Sequence, residues 1–231
     1  LIIASFFVNL FLFRINDIIA KKINLYDLPN STRKFHKIPI SLNGGIFYFL
    51  NLSLIFILDV FYNDFKIINI FGFINEVDTL LVLLVIFLLL VLGIIDDKIS
   101  IKPLSKSIVS MLIFFTFLSI RIDYQIIDLR FETFNFSVDL FKLSLIFTIF
   151  CFVILQILFN MYDGINLQSA IYYSVILIYL ILVNKNNNFS IFCSLTLINL
   201  VFFSVYNYKQ KIFLGDNGVY IFSFILSLLI I

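Results

Sequence analysis

Tryptophan is absent from the 231 residues, and histidine occurs once, as His36. A site built from several imidazoles is therefore excluded within this chain, and anchoring at a membrane interface would fall to the eleven tyrosines. Only two cysteines are present, Cys151 and Cys193, each inside an apolar segment where cysteine acts as a small hydrophobe. Neither a disulfide nor a thiolate metal site is expected from them. Charge is scarce: 13% of residues, where a soluble domain carries about a quarter. Sixteen basic and fourteen acidic side chains leave a net charge of +2, too little to suggest a nucleic-acid partner.

What the chain has instead is hydrocarbon. Hydrophobic residues make up 62% and the mean hydropathy is +1.10. Apolar runs recur at 1–20, 42–61, 79–95, 105–120, 139–159, 168–183, 189–206 and 217–231. A spanning helix takes about 20 residues, and continuous runs rather than alternating ones argue against a β-barrel. The expected fold is all-α, a polytopic transmembrane helical bundle of about eight spans in one integral membrane domain over 1–231. The first run reaches only Phe13 before Arg14, and the last stops in mid-hydrocarbon at Ile231, so both ends are expected to be cut. Eleven of the sixteen basic residues fall in the loops after the odd-numbered runs, which the positive-inside rule places in the cytoplasm. On the other side, alternation within Asp123–Asp139 suggests a short hairpin.

The unusual residues also collect in the odd-numbered loops. The first, Asp27 to Gly45, gathers Arg33, Lys34 and His36 between prolines, then enters the second run through Gly44-Gly45. A positive-inside anchor needs only the charge, whereas Pro and Gly suggest a shaped loop whose Arg and Lys bind phosphate oxygens. The second follows the run ending at Ile95 with two adjacent acids, Asp96 and Asp97, then Lys98, Lys102 and Lys106. Acids beside a membrane-length segment are functional candidates by default, because charge in hydrocarbon costs roughly 2.5–3.5 kcal/mol or more. The third holds Asn160, Asp163 and Asn166, spaced by three so that a helical turn would put them on one face. The fourth places Asp216 between Gly215 and Gly218. A turn explains each loop alone. Their concentration on one membrane face favours a single site.

Asp96, Asp97, Asp163 and Asp216 with Asn160 form an all-oxygen set, suited to Mg²⁺ or Mn²⁺ rather than zinc. Arg33, Lys34 and Lys106 add positive charge, and acids beside bases at headgroup level match a metal-bound diphosphate.

The four loops resemble the motifs of the polyprenyl-phosphate N-acetylhexosamine-1-phosphate transferases, glycosyltransferase family 4. The D-x-P…R-K-x-H…P…G-G pattern is matched by Asp27, Pro29, Arg33, Lys34, His36, Pro39, Gly44 and Gly45. Gly93, Asp96, Asp97, Pro103 and Lys106 match G-x-x-D-D…P-x-x-K. Asn160, Asp163 and Gly164 match N-x-x-D-G, and Lys211, Phe213, Gly215, Asp216 and Gly218 match K-x-F-L-G-D-x-G. The resemblance implies transfer of N-acetylhexosamine 1-phosphate from a UDP-sugar to undecaprenyl phosphate, with release of UMP. The setting implied is the bacterial cytoplasmic (inner) membrane, in a multi-pass parent of ten or eleven spans, compatible with a homodimer. The first-loop pattern is nearer the O-antigen and teichoic acid initiators than the peptidoglycan branch.

By the same resemblance, Asp216 and Asn160 would hold Mg²⁺, Lys106 would contact the diphosphate, and Asp96 or Asp97 would orient or deprotonate the lipid phosphate. Asp163 and Phe213 would line a uridine pocket, with Asn166, Arg33, Lys34, His36 and Lys211 as further substrate-binding residues. Two positions depart from the pattern: Leu167 stands where the family has glycine, and Val219 where it has serine. A further His- or Arg-rich loop of the family would lie beyond Ile231, which makes an inactive fragment a competing expectation. A transporter is another, and it predicts acids near the bilayer midplane on broken helices.

Overall fold

The structure, a computed structural model, describes residues 2–29, 38–62, 76–131, 133, 136–184 and 186–231. Its elements in chain order are α1 (Ile2–Arg14), α2 (Asn16–Ile23), β1 (Tyr26–Asp27), β2 (Ile40–Ser41), α3 (Gly44–Tyr62), α4 (Glu76–Ile99) and α5 (Pro103–Ile120). There follow β3 (Asp128–Phe131), β4 (Phe136–Asp139), α6 (Ser144–Tyr162), α7 (Gln168–Val183), α8 (Asn187–Tyr208) and α9 (Gly215–Ile230). Backbone groups in hydrocarbon must be satisfied within their own segment, so long apolar stretches fold as helices. Breaks fall where the sequence supplies stop and start signals. Pro103 opens α5, where its missing N–H costs nothing. The Asn186 side chain caps α8 by accepting from the Asn188 and Phe189 N–H groups.

Five helices among the described residues are long and apolar enough to cross a bilayer, or six if α1 and α2 are one bent span. With the shorter apolar helices α7 and α9, the eight expected runs are all helical. The first run is a correction. It does not continue straight over 1–20 but bends by 56° between α1 and α2. Beyond Ile15 the chain carries Asn16, Asp17, Lys21 and Lys22, so the second half is an amphipathic helix that exposes Lys21, Lys22 and Ile18 while burying Asn16 and Ala20.

Helix α9 is the axis of the bundle: from Gly215 to Leu229 every residue except Asp216 is buried. It packs on α3, α4 and α6, while α5 backs onto α4 and α6, and α1 and α7 lie against α8. Apolar helices gain little by burying apolar surface against each other in lipid, so polar pairs and close contacts select the packing. Asn199 donates to Asn9 Oδ1 at 2.9 Å, the Tyr48 and Tyr173 hydroxyls pair at 3.1 Å, and Gln156 donates to Ser110 Oγ at 2.9 Å.

The expected hairpin is present: β3 and β4 pair antiparallel with Asp128 opposite Asp139. At that end Arg121 pairs with Asp78 at 2.8 Å. The opposite end of the bundle carries β1–β2, the C-termini of α4, α6 and α8, and the N-termini of α3, α5, α7 and α9. The site is there.

Candidate active site

The site is assembled around the first turn of α9. The segment before it docks on the β1–β2 pair: Phe213 N–H donates to Ser41 O at 2.8 Å, and Gly44 N–H to Phe213 O at 3.1 Å. Glycines let the backbones touch. A Cβ at Gly93 of α4 would overlap the Asn217 backbone, and one at Gly45 of α3 would overlap Asn217 and Gly218. Gly215 enters α9 with φ +73°, and a side chain there would also meet Asp97 Oδ2 at 2.8 Å.

The two neighbouring acids of α4 then face different partners. Asp97 caps α9: its Oδ1 accepts from Asp216 N–H at 2.9 Å, and its Oδ2 from Asn217 N–H at 3.2 Å and from the Asn217 side-chain amide. The open N–H groups and positive dipole end of a helix favour a carboxylate at this place. Asp96 is buried, with Ile101 N–H on Oδ1 at 2.8 Å and both Lys106 Nζ (2.8 Å) and the Tyr220 hydroxyl (2.7 Å) on Oδ2. Lys106 also stands 3.7 Å from Asp216 Oδ2, while the Asn160 amide bonds Asp216 Oδ1.

Beside these groups lies a cavity of about 350 Å³, within the size range of ligand sites. Asp27, Asp96, Asp97, Asp163, Asn166, Asn207, Phe213 and Asp216 are among its walls. Six residues expected at the site from sequence therefore line one cavity: Asp96, Asp97, Asp163, Asn166, Phe213 and Asp216. Asn160 and Lys106 join them through Asp216. The acids sit at helix ends, in the last turn of α4 and the first of α9, which departs from the midplane placement a transporter would require.

Three expectations need correction or fall outside the structure. Asn160, Asp163 and Asn166 do not share a helical face, because α6 ends at Tyr162 and Asp163 leaves helical torsion at ψ 60°. Asp163 instead accepts from the Ser169 hydroxyl at 2.6 Å, and burial of its carboxyl pushes its pKa up to about 6 despite that bond. Lys211 is exposed, with its ammonium over the Tyr206 ring at 5.9 Å and not in the cavity wall; only its carbonyl takes part, accepting from Ser41 Oγ at 3.0 Å. Arg33, Lys34 and His36 lie outside the described residues.

Other contributors went unread in the sequence. Asn207, buried, receives Leu167 N–H on Oδ1 at 2.7 Å and donates to Ile212 O at 2.9 Å, tying the third loop to the fourth. Leu167 itself, the residue in the glycine place, adopts φ 68°. Left-handed backbone is where glycine costs least, so the departure puts strain on this turn. Asn217 and Tyr220 likewise join the site without a clear sequence signal. An amide between an acid and a glycine is a faint signal for the first; the second carries none. Val219 is fully buried and presents no polar group.

Among the described residues no three His, Cys, Asp or Glu side chains form a metal cage. Magnesium does not need one, since it commonly takes one or two carboxylates, keeps waters and binds substrate phosphates. The Asn160 amide touches Asp216 Oδ1 and Lys106 Nζ stands 3.7 Å from Asp216 Oδ2, and one carboxylate beside one amide fits such a partial ligand set.

The model of a protein family described as Glycosyl transferase family 4 matches residues 79–231, well over half of the chain. No curated protein matches it.

Proposed function

The chain belongs to glycosyl transferase family 4, and on that premise we propose that it transfers N-acetylhexosamine 1-phosphate from a UDP-sugar to undecaprenyl phosphate. Sugar-phosphate transfer to a polyprenyl phosphate is the family's general activity, and the apolar helices make this a multi-pass membrane transferase. The reading places the cavity at the cytoplasmic face of the bacterial inner membrane, by the basic loops around it. There a lipid phosphate reaches it from the bilayer and a nucleotide sugar from water.

An oxygen of the lipid phosphate attacks the sugar-bearing phosphorus, the bond from that phosphorus to the bridging oxygen breaks, and UMP leaves with the electron pair. The nucleophile is already largely ionised near neutral pH, its second pKa being about 6. A strong general base is not needed, and the geometry of the two α4 acids agrees. Asp96 and Asp97 each have both oxygens engaged by internal donors, so their role is to orient Lys106 and the first turn of α9. Lys106 balances charge on the diphosphate beside Asp216. Mg²⁺ on Asp216 and Asn160 would neutralise the diphosphate and the charge growing on the leaving phosphate. Phe213, Asp163 and Asn166 line the cavity, and this reading assigns them to the nucleoside. Arg33, Lys34 and His36 are assigned to donor phosphates by their motif alone.

One observation carries the reading: Asn160 and Lys106, from separate helices, converge on Asp216 at the cavity wall. The test supplies full-length protein with undecaprenyl phosphate, Mg²⁺ and a panel of UDP-N-acetylhexosamines, and measures UMP. Release that requires both the lipid and the metal is expected; none with any donor sinks the proposal.

A further inference from the structure

Tyr220 lies one turn along α9 from Asp216, is 1% exposed, and does not line the cavity. A phenol buried this deeply requires a partner, and its hydroxyl finds Asp96 Oδ2 at 2.7 Å. Lys106 Nζ reaches the same oxygen at 2.8 Å and stands 3.7 Å from Asp216 Oδ2. The other Asp96 oxygen is held by Ile101 N–H at 2.8 Å. Hydroxyl, carboxylate, ammonium and second carboxylate thus form one continuous line from the interior of the bundle to the cavity wall.

Building on the phosphotransfer reading, we propose that Tyr220 is a positioning residue for Lys106, acting through Asp96. A carboxylate held at one oxygen can still turn about its side-chain torsion. Donors on both oxygens, one from the α4–α5 turn and one from α9, leave Asp96 a single orientation. Lysine is a point charge on a flexible four-carbon stem, so its placement depends on what receives it. Asp96, locked by Tyr220, holds the ammonium between itself and Asp216, where the diphosphate must be met. Tyr220 touches no reacting atom. Its contribution is the angle of another residue's carboxylate, and through it the placing of a third.

Tyr220→Phe keeps the ring and removes only the hydroxyl. In full-length protein, the kcat for UMP release falls about tenfold while the donor KM stays within about twofold. The double variant Tyr220→Phe/Asp96→Asn is no slower than Asp96→Asn alone, because the hydroxyl has no other route to the reaction. A second readout does not depend on turnover. Acylation of Lys106, followed by peptide mass spectrometry against the exposed Lys98 and Lys102 as internal references, rises severalfold in Tyr220→Phe and in Asp96→Asn. Thermal unfolding in detergent reports whether each variant is folded, and only variants with a cooperative transition are scored. An unchanged or slower Lys106 rate in folded variants overturns the assignment, and so do independent effects in the double variant. If the wild type releases no UMP, the reading of the reaction fails, and the lysine labelling still decides the role of Tyr220.

Discussion

Two pairs of acids border the same cavity and differ in almost everything but chemistry. Asp96 and Asp97, adjacent on α4, each collect three internal hydrogen bonds and spend their charge on the scaffold. Asp163 follows the end of α6 and Asp216 sits in the first turn of α9, and each accepts from a neutral side chain, Ser169 and Asn160 respectively. A carboxylate with fixed donors on both oxygens braces its neighbours; one with fewer internal donors keeps more capacity for a ligand. On the proposed phosphotransfer reading, the adjacent pair builds the site and the separated pair serves it.

The sharpest way to break this comparison is to neutralise one acid from each pair. Asp216→Asn lowers turnover by about two to three orders of magnitude, the scale of losing a transition-state electrostatic contact, with little change in thermal midpoint. Asp97→Asn also lowers turnover, and in addition destabilises the fold by about 2–4 kcal/mol, because the amide nitrogen would face donors at the start of α9. Thermal unfolding in detergent separates the two. Equal midpoints would erase the division between builder and server.

A smaller effect distinguishes Asp163 by its response to pH. Its folded pKa of about 6 lies above the ordinary carboxylate value of 3.8, so between those values the folded protein retains a proton that the unfolded chain has lost. That contribution to stability is complete below about pH 4 and is lost as pH rises through about 6. Asp163→Asn escapes the loss. It should exceed wild type in stability by about 1–3 kcal/mol at pH 7.5, with the gap closing toward pH 4. A gap independent of pH would show that the carboxyl is not held in a desolvated place.

The smallest effect is at Leu167. Leu167→Gly relieves a left-handed residue and should add about 1 kcal/mol, seen as a rise of roughly 2–4 °C in the thermal midpoint for a chain of this size. A fall instead would mean that the leucine side chain contributes more packing than its backbone costs.

Much of this architecture was legible before any coordinates. Apolar runs predicted the helices because hydrocarbon permits few alternatives, and the oxygen-rich loops pointed to one face. Other features were not. The bend after Arg14 depends on whether a half-polar turn leaves the bundle, which composition only hints at. The three-residue spacing of Asn160, Asp163 and Asn166 read as one helical face, but the helix stops at Tyr162, so the three separate. Lys211 matched its motif and yet points over Tyr206. Asn207 and Tyr220 carry no signal in the sequence, because an amide or a phenol at the edge of an apolar run is ordinary until its partner is known.

By itself, then, the order of residues determined the kind of solvent this chain inhabits, the helices that follow from it, and the acids, amides and lysines available for chemistry. Those are local matters of hydropathy and functional-group type. Which oxygens remain open was decided only when the chain folded. Asp97 receives the N–H of Asp216, and Asp96 the hydroxyl of Tyr220, from residues more than a hundred positions away. Hydrogen bonds reach about 3 Å, so the choice between bracing and binding belongs to the packing of α4 against α9.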